Sequence, residues 1–233
     1  QSIPVVYGER KVGGTRVFVE SSGSDNEYLY VALALCEGEI ESVEKIFIDE
    51  KEVTWSGTLA DNTLRTVGTG DGNFYKDSTS LISVKCHYGT DSQAQCDLLG
   101  TLDSWTSNHR LRGIAYLSLK FKWNQDAFGA IPQIQAIIKG KKVVAYNSSS
   151  VAQTAAHSNN PAWCLLDYLT NERYGKGIPI ANIDIPSFYT SSGVFDTDVT
   201  AYGSTTIDVL DCNAVIDTSR KVIDNVRDII KGM

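Results

Sequence analysis

Leu111-Arg112-Gly113-Ile114-Ala115-Tyr116-Leu117-Ser118-Leu119-Lys120-Phe121-Lys122-Trp123 is the strongest strand signal in the chain. Its apolar and mixed character places it as a long strand in the centre of a sheet or barrel. Working outward, Leu81 to Tyr88 is a second strand, with Ser83, Lys85 and His87 on one face and Ile82, Val84 and Cys86 on the other. Tyr28, Tyr30 and Val31 to Cys36 are strand-formers bounded by Asn26 and Gly38, and Arg16 to Glu20 is another strand. Ile40 to Ile48 puts Ile46 and Ile48 on one face and Lys45 and Phe47 on the other. Asp49-Glu50-Lys51 then turns the chain so that Val53 to Trp55 returns as the second strand of a hairpin.

The pieces between these strands read differently. Thr66 to Asn73 holds Gly68, Gly70 and Gly72 and reads as a mobile loop. Cys96, Leu99 and Leu102 recur at helical spacing, which predicts a short helix over Gln93 to Leu102. Downstream, Ile134 to Lys139 and Lys141 to Tyr146 are expected to pair around Gly140, and the Ser- and Ala-rich Asn147 to Ala156 reads as a connector.

Beyond the connector the period changes to that of a helix. Asn160 suits an N-cap and Pro161 the first helical position. Ala162, Leu165, Leu166 and Leu169 form a stripe, and Tyr174-Gly175-Lys176-Gly177 ends the element. Ile207 to Val215 reads as one strand or two. After Asp217-Thr218 a second helix is expected, with Val222, Ile223, Val226, Ile229, Ile230 and Met233 on one face. The expected fold is α+β and β-rich, with a β-barrel-like part and a smaller mixed α/β part toward the C-terminus. The expected division is 1–146 for the β-rich domain, 147–158 for the connector and 159–233 for the mixed segment.

Composition narrows the function classes. With 233 residues, 42% hydrophobic and 21% charged, the chain is an ordinary globular sequence, long enough for one or two cores. Apolar runs such as Val31 to Cys36 are far too short to span a bilayer, so no membrane anchor is expected. The balance of 28 acidic against 21 basic residues gives a formal charge of −7, and only Lys139, Lys141 and Lys142 cluster. A phosphate-gripping surface needs a basic stripe, so sequence-specific DNA binding is not expected. Five cysteines at irregular spacing (Cys36, Cys86, Cys96, Cys164, Cys212) read as buried free thiols of a protein made in a reducing cytoplasm. No signal peptide follows Gln1, and the chain closes on an apolar helix face at Ile229, Ile230 and Met233, which reads as a piece of a longer polypeptide.

Catalytic signatures are sparse. There is no HExxH, G-x-S-x-G, Walker loop or CxxC. Gly68-Thr69-Gly70-Asp71-Gly72 has the glycines of a phosphate cradle but lacks the Lys-Ser/Thr and the strand-to-helix frame. Cys86, His87, Cys96 and His109 are the soft-ligand residues, yet adjacent Cys86 and His87 point to opposite faces of a strand, which disfavours a shared zinc. His157 and Cys164 are a conceivable nucleophilic pair with no third member marked. The carboxylates of Glu37 to Glu44 and Asp49 to Glu52 read as solvated strand and turn positions rather than a hydrolase pair. Asn147-Ser148-Ser149 fits the glycosylation sequon but marks only a polar loop, and Trp105, Trp123 and Trp163 read as packing residues more than as a sugar platform. No catalytic, metal-binding or cofactor-binding residue is expected, and no cofactor.

Two stretches carry a resemblance. Asn159-Asn160-Pro161-Ala162-Trp163-Cys164-Leu165-Leu166-Asp167-Tyr168-Leu169-Thr170, continuing to Arg173-Tyr174-Gly175-Lys176-Gly177, resembles the N-x-A-W-C-L-x-D-x-L-T…R-Y-G-x-G segment of the lambda-type tip attachment proteins of long-tailed phages. Cys212-Asn213-Ala214-Val215-Ile216-Asp217-Thr218-Ser219-Arg220-Lys221 is similar to the same family's C-N-A/G-x-x-x-T-x-R/Q-K stretch, which leads into a helix ending as Lys231-Gly232-Met233 does here. Ile3 to Gly14, Leu33 to Val53, His109 to Tyr116, Ile131-Pro132 and Ala136 to Val143 are similar to relatives of that family in the same order, while 54–80 carries no part of the resemblance.

The resemblance implies a structural, non-enzymatic baseplate-hub protein of the virion. It implies a homotrimer at the tail tip around the channel through which DNA leaves, assembled in the host cytoplasm. The implied partners are further copies of the chain, the distal tail protein and the tape-measure protein, with phage DNA passing without sequence-specific binding. Host cell attachment and genome ejection are the implied processes. A carbohydrate- or receptor-binding module and a tail-associated hydrolase, the latter using residues such as Glu39 and Glu41, are the rival readings.

Overall fold

A computed structural model describes residues 2–200 and 206–231. It is a β-rich α+β fold, as the sequence predicts. The chain divides into two compact units, one formed by Lys11–Lys139 and the other by Ser2–Arg10 together with Gly140–Met233. No helix among the described residues is long and apolar enough to cross a membrane.

The first unit is built on a five-stranded antiparallel sheet in the order Thr15–Ser22, Tyr28–Glu37, Ile114–Lys122, Ile82–His87, Leu64–Thr66. The strand that the sequence places at the centre is the central one. It bonds Tyr28–Glu37 on one side, with a register shift at Ala115/Tyr116, and Ile82–His87 on the other. Every residue of Val31 to Glu37 is buried, which is why that run lacks the alternation of a one-sided strand. Ile82–His87 is covered on both faces. Lys85 and His87 are buried along with Ile82, Val84 and Cys86, because the Gln93–Trp105 segment covers the face they share with Tyr116.

That covering segment is a succession of turns, not the predicted helix. Gly100 N–H donates to Cys96 O, Leu102 N–H to Leu99 O and Trp105 N–H to Leu102 O, and no continuous ladder forms. The spacing of Cys96, Leu99 and Leu102 still marks the buried side, since all three pack with Tyr30, Ala32 and Trp105. The hairpin after Ile40–Ile48 is also tighter than expected. Asp49 and Glu50 both take positive φ (47° and 66°), and this two-residue turn pairs Ile48 with Lys51 and Phe47 with Glu52. The return strand is therefore Lys51–Glu52 instead of Val53 to Trp55, although Val53 N–H still reaches Ile46 O. The Thr66 to Asn73 stretch is pinned, not open. The buried Asp71 carboxylate accepts the amides of Thr54, Asn73 and Phe74 at 2.8–2.9 Å.

In the second unit Val5–Tyr7 pairs antiparallel with Ala214–Ile216. Three helices accompany them: α1 (Pro161–Thr170), α2 (Ile185–Phe195) and α3 (Val222–Lys231). Asn160 caps α1 by accepting from Ala162 N–H, with Pro161 following as predicted. The sequence reading passed over α2, whose signal is Asp184 as N-cap with proline at its first turn. Ile207 to Val215 resolves into parts of two strands, Thr206–Asp208 and Ala214–Ile216, the former paired with Asp198–Thr200. Ile229 is buried on the predicted face of α3, whereas Ile223 and Ile230 are exposed; Met233 lies outside the described residues.

Gly140 is not the turn that the sequence suggests. Ile134–Val143 is one unbroken strand, and Ala156–His157 pairs with its far end. A Cβ at Gly140 would sit 2.1 Å from Val6 O and 3.0 Å from Gly8 O, so a bare backbone is required there by a close neighbour. Gly140 N–H donates to Gly8 O at 2.7 Å.

Candidate functional site

Each sequence-derived candidate has a definite place. In the Gly68 to Gly72 turn two amides are already used, Gly68 N–H on Thr54 O and Asp71 N–H on Gly68 O, and the Asp71 carboxylate itself accepts from Asn73 and Phe74 N–H, which puts a negative group where a phosphate would sit. Lys76 Nζ donates to Gly72 O. The carboxylates around the hairpin are likewise engaged. Glu52 pairs with Lys45 at 3.0 Å, Glu44 accepts from Ser42 and lies 3.9 Å from Lys139, and Asp49 accepts from Gln133 N–H.

Cys86 and His87 do face opposite ways. Cys86 is buried and its thiol is pushed up to about 12 by desolvation. His87 stacks on Tyr116 with ring centroids 4.3 Å apart, while His109 stacks on Trp105 and accepts from Thr106 N–H through Nδ1. Among the described residues no three His, Cys, Asp or Glu side chains converge as metal ligands. His157 lies on a strand opposite Lys142, and Cys164 lies on α1 with its thiol directed to Ser158 O at 3.6 Å. Trp105 and Trp163 are buried. Trp123 is 55% exposed and, with Phe121, Phe128 and Ile131, lines a cleft of about 180 Å³.

Two polar clusters, one anchored on the buried Lys85 and one on the part-buried Asp167, were not visible in the sequence. In the first unit Lys85 Nζ donates to Asp97 Oδ1 at 2.6 Å and to Asn62 Oδ1 at 3.2 Å, clasping the Gln93–Trp105 segment to the sheet. The ammonium holds the Asp97 carboxyl below its usual range. In the second unit Asp167 Oδ2 accepts from Tyr7 OH at 2.6 Å and Tyr174 OH at 2.7 Å, and Lys141 Nζ lies 3.7 Å from Oδ1. Burial and the adjacent carboxylate push the Tyr7 hydroxyl well above its usual range, so it remains a donor.

His87 gives a pH dependence with a fixed sign. Desolvation first, then Lys85, lowers its pKa from 6.5 to about 4, with Asp97 opposing. Between those values the unfolded chain takes up a proton that the folded chain refuses, so stability is full above about pH 6.5 and is lost as pH falls toward 4. The expected loss is up to about 3 kcal/mol. Urea midpoints from pH 7 to 4 should fall less in His87→Gln than in the parent; equal slopes would remove His87 as the cause.

The arrangement is one of packed sheet faces and internal polar ties, and the sequence resemblance to phage tail-tip and baseplate hub proteins holds. The chain is 24% identical over 285 aligned positions to Baseplate hub protein pb3 of Escherichia phage T5, covering 99% of this chain and 30% of that protein. It also superposes on a chain in the virion of a native gene transfer agent particle with a TM-score of 0.46 and 17% identity, over 90% of this chain and 45% of the other. No family model matches.

Proposed function

We propose that this chain is a structural part of a phage tail tip, one third of a trimeric hub around the channel through which DNA leaves. The observation that carries the reading is collinear similarity across 99% of the chain to a protein named as a baseplate hub. Because the chain spans only 30% of that relative, the whole relative's role is a proposal here and not a transfer. The β-rich part, 1–146, would form the hub domain, and 159–233 a mixed segment continuing into further sequence. Neighbours in the virion would be two further copies, the distal tail protein and the tape-measure protein. Assembly would occur in the host cytoplasm and DNA would pass without sequence-specific binding, in keeping with the charge of −7. The role would be non-enzymatic and independent of any cofactor.

One observation favours a second reading. The exposed Trp123 beside its apolar cleft is the kind of platform on which a sugar ring stacks, as a receptor-binding module would need. Cryo-electron microscopy of the intact particle separates the two. Three copies of this density ringing the end of the tail channel are expected. Density on a peripheral fibre, or a stable monomer of the full polypeptide in light scattering, would count against the hub.

A further inference from the structure

One face of the five-stranded sheet carries a polar row across four strands, in which Thr66, Ser83, Lys120 and Tyr30 are register partners in turn. One step along, Tyr28 stands opposite Lys122. Side chains two apart on a strand share a face, so Lys120 and Lys122 project together, while Phe121, which lines the Trp123 cleft, projects the other way. The Lys120 ammonium lies 4.1 Å from the centre of the Tyr28 ring and 5.4 Å from that of Tyr30. Cation–π attraction holds it there and leaves its charge unneutralised. Among the described residues neither Lys120 nor Lys122 has a carboxylate at ion-pair distance. Glu20, in the same row beyond Tyr30, is bonded to Ser104.

Two clefts adjoin along this row, with Ser80 as a shared wall. The smaller, about 220 Å³, holds Lys120, Lys122, Ser83 and Tyr28. The larger, about 590 Å³, has no charged residue in its lining; Trp55 and Tyr75 wall it together with Ser56, Thr66 and Thr69. The hydroxyls of Thr69 and Tyr75 are not engaged by other described residues, and the Trp55 indole N–H has no acceptor among them. The buried Asp71 carboxylate is spent on the amides of Thr54, Asn73 and Phe74. We propose that the two clefts together bind an acidic oligosaccharide. One sugar ring lies against Trp55 and Tyr75, and an anionic group on that ring or the next lies beside Lys120 and Lys122. Aromatic side chains accept the C–H face of a sugar, and short hydroxyls exchange hydrogen bonds with its OH groups. The two ammoniums select an anion. A bare phosphate would use only the smaller cleft, and an uncharged sugar would leave both lysines unanswered. The larger cleft is built from 54–80, the stretch that carries no part of the family resemblance, so the site goes beyond the hub reading and is independent of it.

Calorimetric titration of the chain at low ionic strength tests this with four probes: tetragalacturonate, maltotetraose, inorganic phosphate and tetraglutamate. Tetragalacturonate should bind saturably, about tenfold or more tighter than each of the others, and should weaken as salt is added. Changing both Lys120→Gln and Lys122→Gln should weaken it about tenfold, the loss of two charge-assisted contacts. Trp55→Ala should weaken it by a similar factor, with urea midpoints checking that the fold survives. Thr69→Val, at an exposed position, removes a cleft hydroxyl and tests the same wall if the Trp55 variant does not fold. Equal binding of maltotetraose, or a lysine double variant with unchanged affinity, would overturn the proposal by removing the anion from it. Equal binding of phosphate or tetraglutamate, or affinity indifferent to Trp55→Ala and Thr69→Val, would overturn it by leaving a bare anion patch. Absence of saturable tetragalacturonate binding would overturn it outright.

Discussion

Asp167→Ala is expected to lower the unfolding free energy by about 3–5 kcal/mol, the range for stripping one partner from a buried charged network. Asp167 Oδ2 is the acceptor for both Tyr7 and Tyr174, so its loss removes the carboxylate that two hydroxyls share. It also leaves Lys141, whose side chain is only 14% exposed, without its carboxylate. These partners come from the N-terminal strand, the loop after α1 and the Ile134–Val143 strand, so one truncation loosens three connections to α1. Asp167→Asn keeps an acceptor oxygen and should cost less, about 1–3 kcal/mol. Tyr7→Phe removes one donor and leaves the other in place, for about 1–1.5 kcal/mol. Urea denaturation of the three variants decides it. If Asp167→Ala costs no more than Tyr7→Phe, the carboxylate is not the hub of this network.

How far the fold was legible depends on which interactions are local. The Leu111 to Trp123 run, the Val31 to Cys36 run and the Asn160-Pro161 helix start all announce themselves, because strand burial, helix period and capping are written in adjacent residues. Gly140 misled because a glycine between two strand-like runs looks the same whether it turns the chain or makes room for a neighbour. The deciding atom, Val6 O, is remote in sequence. The tie between Tyr7 and Asp167 is hidden for the same reason, and so is the pairing of Val5–Tyr7 with Ala214–Ile216. Nothing local places Cys164 and Cys212 in one core cluster; what the sequence shows is only five irregularly spaced cysteines. The Gln93–Trp105 segment is the mixed case. Period alone identified which residues point inward and misjudged the backbone that carries them.

That segment owes its place to side chains and not to a helical ladder, which makes Trp105 its most sensitive position. Trp105→Ala should cost about 3–5 kcal/mol, the usual range for emptying a buried indole site. The ring is 3% exposed and meets Phe18 edge-on at 5.0 Å, His109 at 5.2 Å and Tyr116 at 6.5 Å. No ladder of backbone hydrogen bonds would hold the turns in place once the ring is gone. The remaining ties include Gln93 to the Arg110 and Leu111 carbonyls at the start of the segment, Lys85 to Asp97, Gln95 to the Trp105 carbonyl, and Ser104 to Glu20; the Asp97 side chain is 77% exposed, which screens its pair. Trp105→Phe behaves differently. It loses some area but also removes an indole N–H that has no protein acceptor, so the net cost should stay under about 1.5 kcal/mol. Hydrogen exchange should therefore speed up across residues 93–105 in the alanine variant and stay close to the parent in the phenylalanine one. Equal protection in both would mean that the segment is held by its polar ties and not by the ring.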